Sequence, residues 1–334
     1  MGFLGLSSKS GAAAPPPPDA AQAADAADAA EASMPRFAKY RKRFHAWWEG
    51  YYLDPEIAPN PPPPANQPTE EQVKDDKWSA PRIKIAELIW GDGFSFPGGV
   101  DHVLHMVKPM TLTSAKSMLD IGCGLGGTTR TIAKTFGTWC VGMDASPALA
   151  KQGMLYSEMG GMAKKAPIQL FVPETLTLPP KKYDAICVRN VFGSLADKQP
   201  LLTTVAGALR PGGCLLVSDF AVSHADANSP AFRRWADGED APPRLCTLDD
   251  YKAMCESLKL DLRVVEDMTD EFRELVVKGW ASLAEAMEGK SLDPEEAKGL
   301  AQELQHWQRR LAAFASGELR VVRIFGIKQS AGVS

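Results

Sequence analysis

Short apolar runs alternate with helical patterns along the chain from about residue 81. Seven runs read as strands, at 117–122, 139–144, 167–172, 183–188, 214–219, 260–267 and 319–327. Helical patterns lie among them, including TTRTIAKTF after the first run and the segments 147–159, 270–288 and 294–315. Near-continuous apolar strands separated by helices predict a parallel sheet covered on both faces. We expect an open α/β sheet that binds its ligand at the carboxyl ends of the strands.

The first 80 residues differ in composition from the rest of the chain. Residues 8–34 are mainly Ala, Pro and Asp with almost no large apolar side chain, so we expect a disordered tail over 1–34. Residues 35–80 combine an aromatic helical pattern with a proline run at 58–64 that predicts a stiff linker. We therefore place the folded domain at 81–330.

The aromatic residues of segment 35–57 recur every three or four positions, which puts them on one side of a helix. Five Lys and Arg residues occupy much of the rest of its first half. Such a helix suits a membrane surface or a protein partner. It also suits packing onto its own domain or across a dimer. We favour this second interpretation, because amphipathic helices usually face a core.

Composition narrows the class of protein. The chain has 334 residues, is 45% hydrophobic, and has a net charge of −4 with no concentrated basic face, so nucleic acid is not an expected partner. Its six cysteines form no Cys-x-x-Cys pair, which favours free thiols in a reducing compartment. No signal peptide and no apolar run of the length of a membrane span is recognisable, so we expect a cytoplasmic location. His102 and His105 share one side of a helix but have no third ligand nearby, so we expect no metal site.

A glycine-rich turn follows the first predicted strand. Residues 119–130 read LDIGCGLGGTTR, and Gly122, Gly124 and Gly127 satisfy G-x-G-x-x-G between a strand and a helix. Asp120, beside this turn, would repel a pyrophosphate but attract an ammonium group. S-adenosylmethionine (SAM) carries that ammonium and no phosphate. The second strand ends at Asp144, where a carboxylate can accept both hydroxyls of a ribose.

At this point the chain resembles the class I SAM-dependent methyltransferases. The resemblance rests on four segments in the family's order and at its usual separations: LDIGCGLGG (119–127), VGMDAS (141–146), YDAICVRN (183–190) and LRPGGCLLVSDF (209–220). It covers about residues 81–329. It implies a Rossmann-like, open twisted sheet that is mostly parallel with a final antiparallel strand. Helices would cover both faces, and helical insertions would form a lid.

The resemblance also implies a set of site residues. Those expected at the cofactor are Trp90, Phe94, Asp120, Gly122, Cys123, Gly124, Gly126, Asp144, Ala145, Ser146, Glu174, Leu176 and Arg189. Those expected to act on the methyl acceptor are Arg189, Asn190, Ser194 and Asp219. No metal belongs to this set.

The segment IWGDGFSFPGG, at 89–99, narrows the resemblance. It is poor in helix and strand signals, and we interpret it as part of a glycine-hinged aromatic lid over SAM. It looks like the lid of the branch of small-molecule methyltransferases that act on phosphoethanolamine, sarcosine and glycine. That branch's phosphoethanolamine enzymes pair a lid tyrosine with a histidine beyond the fourth strand. Here the two positions hold Phe94 and Ser194, and Asn190 replaces an acid. Phe cannot accept a proton and Ser is a poor base, so the sequence does not favour phosphoethanolamine as substrate.

Three functional hypotheses remain at this stage. The first is a SAM-dependent methyltransferase that acts on a small-molecule or lipid-related acceptor, most simply an amine. The second is a non-catalytic SAM-fold adaptor that works through its N-terminal aromatic helix. The third is a nicotinamide-dependent oxidoreductase, which only the glycine pattern supports. The sequence does not reveal the acceptor or the oligomeric state.

Overall fold

The computed structural model describes residues 77–239, 242–288 and 291–329. The predicted tail at 1–34, the aromatic helix at 35–57 and the proline run at 58–64 lie outside the described residues and stay predictions. Over the described residues, no helix is both long enough and apolar enough to cross a bilayer. All six cysteines lie within the described part of the chain, and each is a free thiol.

Seven strands form one sheet. Their bounds are β1 Ser117–Ile121, β2 Trp139–Asp144, β3 Ile168–Leu170, β4 Tyr183–Arg189, β5 Leu209–Val222, β6 Leu260–Asp267 and β7 Leu319–Lys328. They lie in the order β3-β2-β1-β4-β5-β7-β6. Neighbours from β3 to β5 are parallel, whereas β7 enters between β5 and β6 and runs antiparallel to both. The predicted open, mostly parallel sheet with a final antiparallel strand is confirmed.

Helices connect and cover these strands. In chain order they are α1 Ala80–Trp90, α2 Gly99–Val107, α3 Gly127–Phe136, α4 Pro147–Met159, α5 Gln199–Ala208, α6 Pro230–Ala236, α7 Leu248–Ser257, α8 Thr269–Ala286 and α9 Pro294–Ala315. Local sequence explains several starts. Ser79 and Ser146 cap α1 and α4, each accepting a hydrogen bond from the backbone N–H three residues on, and each precedes a proline in the first turn.

The sheet divides the interior into two apolar clusters, one on each face. Along β4, Ala185 and Cys187 belong to one cluster, whereas Ile186 and Val188 belong to the other. This alternation follows from the two-residue repeat of a strand, and both sets are apolar because both faces are covered. The prediction of helices on both faces is therefore confirmed.

An aromatic cluster joins the N-terminal helix and the late helices over one face of the sheet. Trp90 at the end of α1 lies 4.9 Å from Trp307 of α9, measured between ring centroids. Phe96, in the segment between α1 and α2, lies 5.4 Å from Phe272 of α8 and 5.7 Å from Trp307. Aromatic pairs at these separations add about 0.5–1.5 kcal/mol each beyond their buried area. The cluster thus fixes segment 91–98 between α1 and α2, which we call the lid segment, above the carboxyl ends of β1 and β4.

Candidate active site

The turn after β1 requires glycine for two separate reasons. Gly122, Gly124 and Gly126 have φ angles of 77°, 56° and 77°, in the left-handed region that favours glycine. A Cβ atom at Gly122 would also overlap the carbonyl oxygen of Arg189, and one at Gly124 would overlap the hydroxyl of Ser95. The turn is therefore packed closely against the end of β4 on one side and the lid segment on the other.

The carboxylate of Asp144, at the end of β2, holds the glycine turn from beneath. It accepts hydrogen bonds from the backbone N–H of Gly124 at 2.7 Å and from that of Ser146 at 2.9 Å. Burial raises the pKa of Asp144 to about 6, against the lowering effect of these two hydrogen bonds. Each carboxylate oxygen has a second acceptor position, so the group can still receive two hydroxyls of a ligand.

Asp120 and Arg189 form a buried ion pair at the ends of β1 and β4. Asp120 is 0% exposed, and its oxygens lie 3.0 and 3.3 Å from one terminal nitrogen of Arg189. Thr129 of α3 donates a further hydrogen bond to Asp120 at 2.8 Å. The guanidinium of Arg189 therefore already pairs with the negative charge of Asp120. The predicted contact between Asp120 and a ligand ammonium stays a prediction.

Arg189 has donor capacity left over. Burial lowers the pKa of its guanidinium, but the neighbouring acidic groups, with Asp120 first among them, together raise the pKa by more, so the group stays charged. Its Nε is buried and has no hydrogen-bond partner among the described residues. An unpartnered buried donor is costly, and an anionic ligand group would satisfy it.

A cavity in two adjoining parts lies beneath the lid segment. The first part, of about 40 Å³, is bounded by the glycine turn and by Phe94, Ser95 and Phe96 of the lid segment. The second part, of about 30 Å³, continues under α2 toward β5 and α8. Several residues line both parts, namely Phe96, Pro97, His102, Val103, Thr128, Arg189 and Asn190. The first part thus adjoins the glycine turn, and the second lies beside it on the side of β5 and α8.

Nine of the predicted site residues line the cavity or support the glycine turn. Phe94, Gly122, Cys123, Gly124, Arg189 and Asn190 line the cavity. The glycine turn is shaped or supported by three further predicted residues that do not line the cavity: Gly126, Asp144 and Ser146. Asn190 is exposed and adopts a positive φ of 53°, which asparagine tolerates better than most residues.

Other predicted residues lie away from the cavity. Trp90 is buried in the aromatic cluster and contacts Trp307 rather than the glycine turn. Ala145 and Ser194 are exposed, and the Ser194 hydroxyl donates to the carbonyl of Val191. Glu174 and Leu176 lie in and after a short 3-10 turn beyond β3, and neither lines the cavity.

Asp219 supports the loop after β4 instead of facing the cavity. It is 1% exposed and accepts hydrogen bonds of 2.8 Å from the backbone N–H groups of Val191 and Phe192. Burial raises the pKa of Asp219 to about 6. This carboxylate therefore fixes the path of the chain just beyond Arg189 and Asn190.

His102 is a cavity residue that the site prediction did not include. It follows the lid segment on α2, lines both parts of the cavity, and has a side chain 14% exposed. The sequence showed only two histidines on one helix side without a third ligand nearby, so it gave no reason to assign His102 to a site. The proximity of Arg189, which distinguishes His102 from His105, depends on the tertiary fold. No group of three or more potential metal ligands lies together within the described ranges.

Residues 101–263 match the family model of the methyltransferase domain. The chain is 28% identical over 206 residues to phosphoethanolamine N-methyltransferase 1 of Zea mays, covering 60% of this chain and 39% of that protein. It is 26% identical over 253 residues to phosphoethanolamine N-methyltransferase of Triticum aestivum, covering 74% and 48%. The chain therefore spans less than half the length of these two relatives.

Solved structures show the same fold. Haemonchus contortus phosphoethanolamine N-methyltransferase 2, in complex with phosphomonomethylethanolamine and S-adenosylhomocysteine, matches with a TM-score of 0.68 at 21% identity, covering 78% of this chain and 60% of that one. A putative sarcosine dimethylglycine methyltransferase from Galdieria sulphuraria matches with a TM-score of 0.59 at 16% identity, covering 74% and 98%.

The sheet order, the glycine turn and the domain match are each typical of class I SAM-dependent methyltransferases, which the chain resembles. Within that class, the chain resembles the phosphoethanolamine and sarcosine N-methyltransferase branch, although the positions of that branch's tyrosine and histidine hold Phe94 and Ser194. The family match favours an enzyme over the adaptor and the oxidoreductase hypotheses.

The residues present fit SAM, the cofactor of this class. The unpartnered Nε of Arg189 suits the carboxylate of the methionine portion. Asp144 retains acceptor positions for ribose hydroxyls. The glycine turn presents backbone without side chains to the first part of the cavity. Arg189, Asp144 and the turn from Gly122 to Gly126 are thus the residues that would hold the cofactor.

Proposed function

We propose that the protein transfers a methyl group from SAM to a small-molecule or lipid-related acceptor, and that the acceptor is an amine. The observation that carries this proposal is the two-part cavity, because one part adjoins the glycine turn and the other opens beside it past Arg189 and Asn190. A methyl transfer needs two reactants side by side with water excluded. The relatives named as N-methyltransferases support the choice of an amine.

The chemistry required of the chain is mainly positioning. When bound, SAM would supply the methyl group of its sulfonium. A carbon–nitrogen bond would form as the sulfur–carbon bond breaks with its electron pair left on sulfur, and the methylated nitrogen would release a proton to water. Arg189, oriented by Asp120, would hold the cofactor carboxylate. The lid segment would exclude water, since its Phe94 and Phe96 line the first part of the cavity.

Partners and location follow as further parts of the proposal. The acidic balance of the chain supports a small-molecule acceptor rather than a nucleic acid. The free cysteines support a reducing, cytoplasmic compartment. Contact with a membrane or a protein through residues 35–57 stays a proposal.

Calorimetric titration of the full chain with SAM tests the cofactor half of this function. We expect one site, with affinity reduced at least tenfold in Asp144→Ala, because the carboxylate both supports the turn and receives ligand hydroxyls. Asp249→Ala, which removes an exposed carboxylate in the first turn of α7, is the matched control and should bind like the natural chain. Absence of SAM binding by the natural chain would refute the proposal.

Methyl transfer itself is tested with SAM labelled in its methyl group and a mixture of small amines. We expect label in an amine product and release of S-adenosylhomocysteine. If SAM binds but label enters only hydroxyl products, the proposed amine acceptor is wrong while the methyltransferase activity stands.

A further inference from the structure

The second part of the cavity has predominantly apolar walls. They come from the lid segment, α2, β5 and α8, and the side chains are Phe96, Val103, Met106, Val107, Leu216 and Phe272. Polar groups are confined mainly to its boundary with the cofactor part, where His102, Arg189 and Asn190 line both parts. A ligand in the second part would therefore have an apolar body and one polar end directed toward Arg189.

The charges around this part do not suit a phosphorylated amine. Of the residues that the structure describes, none that lines it is acidic, and Arg189 is its one Lys or Arg. Arg189 is already paired with Asp120, and its remaining Nε suits the cofactor carboxylate. The nearby Arg323 contacts the sulfur of Met106 and is paired with Glu266. A phosphate would find no uncommitted cation here, and an ammonium would find no carboxylate.

His102 supplies a largely buried hydrogen-bond acceptor at this boundary, whereas the amide of Asn190 is exposed. Nδ1 of His102 lies 3.8 Å from Oε1 of Glu271 on α8, a carboxylate that is 45% exposed. Burial, followed by the charges of Arg189, His105 and Arg323, lowers the pKa of His102 to about 4. The imidazole is therefore neutral near pH 7, and one ring nitrogen can accept a hydrogen bond from an N–H group.

Resting on the proposed methyl transfer, we propose that the acceptor is an apolar, unphosphorylated amine that donates a hydrogen bond from its uncharged nitrogen to His102. Its apolar body lies among the six apolar side chains of the second part. His102 thereby orients the nitrogen lone pair, and the apolar walls select against the phosphate that the named substrates of the relatives carry. His102 lies on α2, and its position differs from that of the histidine that the branch places beyond its fourth strand.

A matched pair of amines tests the proposal. 2-Phenylethylamine and phosphoethanolamine share the aminoethyl group and differ in carrying a phenyl ring or a phosphate. Each is titrated calorimetrically into the full chain saturated with S-adenosylhomocysteine, at about pH 9 so that part of the amine is uncharged. We expect 2-phenylethylamine to bind at least tenfold more tightly than phosphoethanolamine.

Substitutions on α2 test the role of His102. His102→Phe keeps an aromatic ring without the acceptor and should weaken 2-phenylethylamine binding about 3- to 12-fold, the range expected for one hydrogen bond. His102→Asn keeps an acceptor and should recover at least half of the lost binding free energy. His105→Phe, on the exposed side of the same helix, should bind like the natural chain. Every variant is titrated when saturated with S-adenosylhomocysteine, so that a change in cofactor affinity does not enter the comparison.

The outcomes are distinguishable. Phosphoethanolamine binding as tightly as 2-phenylethylamine, or no binding of either amine, would overturn the apolar assignment. Unchanged 2-phenylethylamine binding in His102→Phe would overturn the role of His102. Failure of the natural chain to bind S-adenosylhomocysteine at all would refute the proposed function itself, and this inference with it.

Discussion

The buried pair of Asp120 and Arg189 allows the sharpest test of how the site is built. We consider Asp120→Asn, Arg189→Met and the double variant. Each single change leaves the other partner's charge in a site where Asp120 is 0% exposed. We expect each to lower the free energy of unfolding by about 3–5 kcal/mol, the usual cost of breaking a buried ion pair. The double variant should lose much less than the sum of the two.

The expected loss of unfolding free energy follows from the distance between Asp120 and Arg189 and from their burial. Two unit charges 3.0 Å apart attract by about 5 kcal/mol at an effective dielectric constant of 20. The exposed pair of Arg210 and Asp184 is a matched control, with a similar separation of 2.8 Å and side chains 49% and 22% exposed. Water screens that pair, so Arg210→Met should cost about 0–1 kcal/mol.

Urea denaturation followed by circular dichroism measures these differences. The expected coupling between the two sites is at least about 2 kcal/mol, well above the error of additive variants. If Asp120→Asn and Arg189→Met each cost less than about 1 kcal/mol and add without coupling, the pair does not organise the ends of β1 and β4 as argued.

Three further predictions concern other parts of the site. Gly122→Ala should lower the free energy of unfolding by at least about 3 kcal/mol in urea denaturation, because the added methyl group overlaps the carbonyl of Arg189. The control Gly212→Ala, at a φ of 76° in open space, should cost only about 1–2 kcal/mol. Equal losses in the two variants would contradict the close approach of Gly122 to Arg189. Because burial raises the pKa of Asp219 to about 6, this group stabilises the fold fully below pH 3.8 and loses that contribution as pH rises through 6. Between pH 7 and 5 the natural chain should therefore gain about 1 kcal/mol relative to Asp219→Asn, and a difference independent of pH would contradict it. Cys246 is the one partly exposed cysteine and should react first with a thiol reagent in the native state. Cys246→Ser should therefore abolish the earliest phase of labelling. An unchanged early phase would show that another thiol is more accessible.

Much of the fold is predictable because its signal is local. The apolar runs at 117–122 and 183–188 correspond to β1 and β4, since a strand buried on both faces needs nearly every side chain to be apolar. The run at 214–219 marks only the middle of β5, which extends from Leu209 to Val222. Its last residues, Phe220 to Val222, pair with β7, and its first residue, Leu209, pairs with Tyr183 of β4. Pairing between distant segments leaves no local pattern.

The site is less predictable for the same reason. The glycine turn is visible because positive φ angles favour glycine at three alternate positions, Gly122, Gly124 and Gly126. The partner of Asp120 lies 69 residues away, and nothing near either residue in sequence indicates the pair. Trp90 was expected over the cofactor as an aromatic lid residue, but α9 packs against α1 and draws the ring toward Trp307. An aromatic side chain in the sequence does not reveal whether it covers a ligand or another ring.

A crystal structure of the full chain grown with S-adenosylhomocysteine would locate the cofactor site. We expect the ligand in the first part of the cavity, with its carboxylate on Nε of Arg189 and its ribose hydroxyls on Asp144. A ligand bound elsewhere, or a diphosphate nucleotide at the glycine turn in its place, would refute the proposed cofactor site.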